Sequence, residues 1–96
     1  MIQMSEEMQR LRAMLDAEHI KWEDKSDVGV YPIYRTHFRY KGQRWSVIHG
    51  YGTYGGYDPF TDTDRGLLEA YNFRDEPIGH LTAEEVMQYV KGADDE

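Results

Sequence analysis

The residue types best suited to chemistry crowd into one window between Asp27 and Asp58, which contains no acidic side chain. It holds Arg35, Arg39, Lys41 and Arg44 with His37 and His49, then Tyr51, Tyr54 and Tyr57 spaced among Gly50, Gly52, Gly55 and Gly56. Guanidinium forks bind phosphate or carboxylate oxygens in pairs, and a histidine changes charge near neutrality. Glycines admit positive φ and expose backbone amides, while tyrosine rings stack. Together these residues suit a small anionic ligand of nucleotide type, with Arg35, Arg39 and Arg44 on its phosphates, His37 beside them able to change charge, and Tyr51, Tyr54 and Tyr57 on its base. The competing reading is a solvated sheet face whose arginines pair with acids of the Trp22 segment or the C-terminal tail, beside a wide turn whose tyrosines pack on the sheet.

Sharper motifs fail on context. Gly50, Gly52 and Gly55 match G-x-G-x-x-G, but Gly56-Tyr57-Asp58-Pro59 follows where a phosphate-binding helix would have to begin. Asp62-Thr63-Asp64-Arg65-Gly66 starts like a calcium loop, yet its glycine comes one position early and Phe73 stands where the bidentate glutamate belongs. The four histidines, His19, His37, His49 and His80, show no i, i+3 or i+4 pair on a helix, so no metal site is expected. Without cysteine, and with no elbow motif around Ser46, a nucleophilic triad has no support. The expectation is a protein that is not an enzyme and carries no cofactor.

Composition narrows the class further. Ninety-six residues allow one domain, spanning 1–96. Eighteen Asp and Glu against eleven Lys and Arg give a formal charge of −7, which argues against general affinity for duplex nucleic acid or anionic membrane. The absence of cysteine excludes a disulfide framework and fits a reducing cytosol. No apolar run is long enough to span a bilayer, and the start, Met1-Ile2-Gln3-Met4-Ser5-Glu6-Glu7, lacks the basic and apolar parts of a signal peptide.

The elements that must position these residues read as follows. Ser5 caps a helix with Met8, Leu11 and Leu15 on its apolar face, ending near His19. Ile20–Asp27 is a short edge strand or loop. Tyr31–Tyr40 and Gln43–His49 form a hairpin about Lys41-Gly42. Pairing Tyr40 with Gln43 puts Phe38, Tyr40, Trp45 and Val47 on the core face; a slip of one residue would instead bury three arginines, at high cost. Leu67–Phe73 is a further strand and Ile78–Leu81 is extended. Thr82 and Glu85 make a capping box for a last helix, with Leu81 and Val86 as its staple, an inward stripe of Val86, Tyr89 and Val90, and Gly92 as its C-cap. Ala93–Glu96 is an acidic, disordered tail. The fold class is α+β: a small antiparallel sheet of three to four strands with the N- and C-terminal helices packed on one face.

The run Trp45-Ser46-Val47-Ile48-His49-Gly50-Tyr51-Gly52-Thr53-Tyr54-Gly55-Gly56, with Gly79-His80-Leu81-Thr82-Ala83-Glu84-Glu85-Val86, resembles small uncharacterised proteins encoded by phages and prophages of gut bacteria. That resemblance implies a small accessory protein in the cytoplasm of a bacterial host and carries no functional residues with it. Small acidic phage proteins often inhibit host machinery, including defence systems of the CRISPR type. Two functions are therefore expected. The first is a binding module that inhibits a host or defence-system protein, its acidic body facing a basic partner and its tyrosines anchoring the contact. The second is a sponge for a small anionic ligand. The tyrosine-rich segment is also a natural contact for a homodimer.

Overall fold

The computed structural model describes residues 2–92; the tail expected at Ala93–Glu96 lies outside the described residues. The chain runs α1 (Glu6–Ala17), β1 (Trp22–Asp24), β2 (Ile33–Tyr40), β3 (Gln43–Gly50), β4 (Tyr57–Asp58), β5 (Thr63–Asp64), β6 (Leu68–Tyr71), β7 (Ile78–Leu81) and α2 (Ala83–Gly92). Five strands form one antiparallel sheet in the order β1-β2-β3-β6-β7, and β4 and β5 form a separate two-stranded sheet. This is the α+β architecture expected, with one strand more than the three to four anticipated, because the charged Trp22 segment pairs along the outer edge of β2.

The hairpin register is the one that spares the arginines: Tyr40 opposes Gln43, Phe38 opposes Trp45 and Thr36 opposes Val47. Lys41 and Gly42 both take positive φ, 50° and 81°, the pair of values a type I′ turn needs to match the strand twist. Phe38, Trp45, Val47, Leu68 and Ala70 are buried from the sheet side against Met8, Leu11 and Leu15 of α1 and Val86, Met87 and Val90 of α2. Alternation then leaves Arg35, His37, Arg39, Arg44 and Ile48 on the opposite face, which no helix covers.

Local chemistry fixes the helices. The Ser5 hydroxyl accepts the Met8 N–H at 3.2 Å, and Glu6 and Glu7 sit at the positive end of the α1 dipole. Arg12 reaches from α1 to the sheet edge, donating to Thr36 Oγ1 at 2.8 Å and Asp24 at 3.2 Å while its guanidinium lies 4.6 Å from the centroid of the Trp22 ring. In α2 the capping box forms reciprocally: the Thr82 N–H donates to Glu85 Oε1 at 2.9 Å and the Glu85 N–H to Thr82 Oγ1 at 3.2 Å. Glu7 accepts the Ala83 N–H at 2.8 Å, and Arg10 pairs with both Glu7 and Glu84, so the two helix starts are tied together. The buried stripe of α2 is Ala83, Val86, Met87 and Val90; Tyr89 is half-buried, edge-on to Trp45 at 5.2 Å. Gly92 is still helical rather than standing beyond the helix as a cap.

Thr82→Ala removes one half of the box and should cost about 1 kcal/mol, lowering the thermal midpoint by roughly 4–8 °C. Calorimetry checks this; an unchanged midpoint would mean that Glu7 alone holds the start of α2.

Candidate functional site

The structure separates the residues that the sequence grouped. Arg39 and Arg44 face each other across the hairpin end of β2 and β3, with His37 one step inward on the same open face. Arg35 lies further along, its guanidinium donating to the Lys25 carbonyl at 3.3 Å. Tyr51 follows β3 at its other end, seven residues from Arg44, roughly 23 Å at the rise of an extended strand. One small ligand cannot span both groups.

No described carboxylate pairs with Arg35, Arg39 or Arg44. The acids of the Trp22 segment are engaged elsewhere, Glu23 with Lys25 at 3.5 Å and Asp24 with Arg12. A residue absent from the sequence-level site joins the arginines instead. Phe73 does not continue β6; it sits in the following turn at φ 66°, a left-handed conformation uncommon for a bulky side chain. Buried Asn72 builds that turn, accepting the N–H groups of Arg74 and Asp75 on Oδ1 at 3.0 and 2.8 Å and donating from Nδ2 to Asp75. The turn folds the Phe73 ring back over the open face, against Tyr71 at 4.9 Å, His37 at 6.0 Å and the Arg44 guanidinium at 4.4 Å. Only the left-handed turn brings Phe73 there, so spacing alone could not reveal it.

His37 is held below its ordinary value near 6.5, first by burial and then by the positive charges of Arg35, Lys25 and Arg44, with Glu23 opposing. Near neutral pH it is therefore an uncharged ring rather than an added cation. Since the unfolded chain takes up the proton first, His37 favours the fold fully above about pH 6.5, and that contribution is lost as pH falls through the folded value. Urea midpoints at pH 7.5 and pH 5 should show a smaller acid loss for His37→Gln than for the parent; equal losses would contradict the assignment.

The Gly/Tyr loop is closed to a phosphate. The amides of Gly50, Tyr51, Gly52, Thr53, Tyr54 and Gly56 all donate within the protein, to Thr53 Oγ1, Pro32 O, Tyr57 O, Gly50 O, Glu69 Oε1 and Thr53 O respectively. The loop docks on β7, where the His80 N–H donates to Tyr54 O at 3.1 Å. This points Tyr54 to one side, while Tyr51 and Tyr57 turn to the other. Tyr51 stands between Tyr31 at 4.6 Å and Tyr57 at 5.7 Å. The Tyr57 hydroxyl donates to Asp62, which raises its pKa above the ordinary phenol value.

These rings border a groove of about 630 Å³ lined by Val28, Val30, Tyr31, Tyr51, Tyr57, Asp62 and Asp64. Val30 is 86% exposed, Val28 and Tyr31 each 62%, and Phe60, in the turn joining β4 to β5, 96%. Asp58 lies in that hairpin too, and no Lys or Arg lines the groove. Sequence reasoning found Tyr51 and Tyr57 here but missed Val28, Val30 and Tyr31, whose signal is a run of apolar residues with no periodicity to bury them; exposed Phe60 nearby, between Pro59 and Thr61, carries no such signal. Beneath the hairpin, His49 is fully buried on the core face, with Nε2 3.0 Å from Asp64 Oδ1, and ties β5 to β3. That burial keeps its imidazole from any substrate.

Among the described residues no three His, Cys, Asp or Glu side chains gather as a metal ion would require, and no helix is long and apolar enough to cross a membrane. No family model, curated protein or solved structure matches this chain.

Proposed function

We propose that this is a non-enzymatic protein-binding module whose docking surface is the end formed by Val28–Pro32 and the β4–β5 hairpin. In the phage setting that the Trp45–Gly56 run resembles, it acts in the bacterial cytoplasm as an accessory protein that inhibits a host or defence-system protein. The observation that carries this reading is the concentration of exposed Val28, Val30 and Tyr31 around one groove, with exposed Phe60 in the adjoining β4–β5 turn. Isolated exposed apolar residues need no explanation, but a contiguous apolar surface with a polar rim marks an interaction site. Aromatic anchors with two or three rigid torsions suit such a contact.

Charge selects the partner. Asp58 and Asp62 are exposed, Asp64 flanks them, and no cationic side chain lines the groove. The partner surface is therefore basic, such as the nucleic-acid channel of a host enzyme, and electrostatic steering makes the association salt-sensitive. The test is co-purification from a bacterial lysate at low and high salt, with the parent beside an Asp58→Lys/Asp62→Lys variant. A basic protein held at low salt, lost at high salt and lost with the charge reversals fits the reading. A partner retained by the reversed variant contradicts it, as would self-association alone.

A further inference from the structure

At the hairpin end, away from the docking surface, β1 stops its pairing at Trp22 opposite Phe38, while β2 and β3 run on to Tyr40 and Gln43. The overhang leaves a cleft of about 870 Å³, a volume in the range of small-molecule sites. Lys21, Arg39 and Arg44 line it against one described carboxylate, Glu23, which already faces Lys25. Arg39 and Arg44 are directly opposed across the strands, a placement in which like charges repel and an anion between them relieves the repulsion. Phe73 lines the same cleft from its left-handed turn, and the Arg44 guanidinium lies over its ring at 4.4 Å from the centroid. A stacked guanidinium keeps its planar fork of donors available for bidentate binding of phosphate.

We propose that this cleft binds a nucleoside phosphate, with Arg39 and Arg44 on the phosphate oxygens, Lys21 adding positive charge, and Phe73, on the same open face, offering its ring to the base. The tyrosines of the Gly-rich loop take no part, because they lie at the far end of β3. Free nucleotides and 5′-phosphorylated single strands share this chemistry. The site is independent of the protein-docking end.

Both tryptophans lie on the helix side of the sheet, so calorimetry rather than their fluorescence reports occupancy. Titration with ATP should give a saturable binding isotherm. Arg44→Ala and Arg39→Gln should each weaken it roughly tenfold or more, the scale of a charge-assisted hydrogen bond. Arg35→Ala, which alters a residue outside the cleft, should leave it unchanged. Thermal melts of each variant separate lost binding from lost folding. A 5′-phosphorylated oligothymidylate that binds more tightly than ATP would identify the single strand as the natural source; tighter ATP would identify the free nucleotide. Inorganic pyrophosphate binding as well as ATP, equal weakening by Arg35→Ala, or no saturable response to any of these probes would overturn the proposal.

Discussion

Gly56→Ala should lower stability by about 3 kcal/mol and the thermal midpoint by roughly 12–24 °C, a large loss for one methyl group on an acidic 96-residue domain. A Cβ at that position would collide with Thr53 Oγ1 and would come within 2.7 Å of Gly50 O and 3.0 Å of Gly50 N. Two of those neighbours are backbone atoms that cannot rotate aside. The Thr53 hydroxyl is also committed, accepting the Gly50 N–H and donating to the Gly50 carbonyl, both at 3.0 Å. Relief would open the loop and release the ladder that seats Tyr51 and Tyr57 beside the docking groove. Gly52→Ala is the contrast. Its φ of 73° carries a left-handed penalty of roughly 1–2 kcal/mol, but a Cβ there meets nothing within 4 Å. Differential scanning calorimetry of the pair should rank Gly56→Ala well below Gly52→Ala. Equal midpoints would mean that the loop relaxes freely and does not fix the tyrosines.

The contrast shows what spacing conveys and what it conceals. Glycines at 50, 52, 55 and 56 look like a cradle for phosphate because only composition is visible in the string. In the fold, six of the loop's amides are consumed internally, and the glycines permit close approach of one backbone to another. The hairpin register, by contrast, was legible, because only one register keeps Arg35, Arg39 and Arg44 out of the core and the Lys41-Gly42 turn agrees with it. The capping box was legible for a similar reason, since its two partners are three residues apart and need no tertiary context. Strand β1 was ambiguous, as its charged residues mask a pairing decided by the free edge of β2. The candidate site's residues were grouped by composition alone. Its arginines do share the open face, but their aromatic companion is Phe73, brought in by an Asn72-centred turn that no periodicity marks.

Phe60→Ala should weaken binding to the protein partner about thirtyfold or more while leaving the thermal midpoint unchanged. The ring is 96% exposed at the β4–β5 turn, so its removal takes nothing from the core. In a docked complex it becomes an aromatic anchor, and truncating such an anchor costs about 2 kcal/mol or more. The Asp58 carboxylate accepts the Phe60 N–H at 2.9 Å, which holds the turn in place with or without the ring. Binding and melting curves recorded on one preparation check both halves of the expectation. A lower midpoint would show that the ring packs in the free protein; unchanged binding would remove it from the contact.

The central claim, that the 28–32 segment and the β4–β5 hairpin form the protein-docking surface, is tested most directly by site-specific photocrosslinking in bacterial cells. A photoreactive phenylalanine analogue placed at Phe60 or Tyr31 should capture one basic partner. The same analogue at Ile78, also exposed but on β7, should capture none. Capture of that partner from Ile78 and not from Phe60 or Tyr31 would contradict the account.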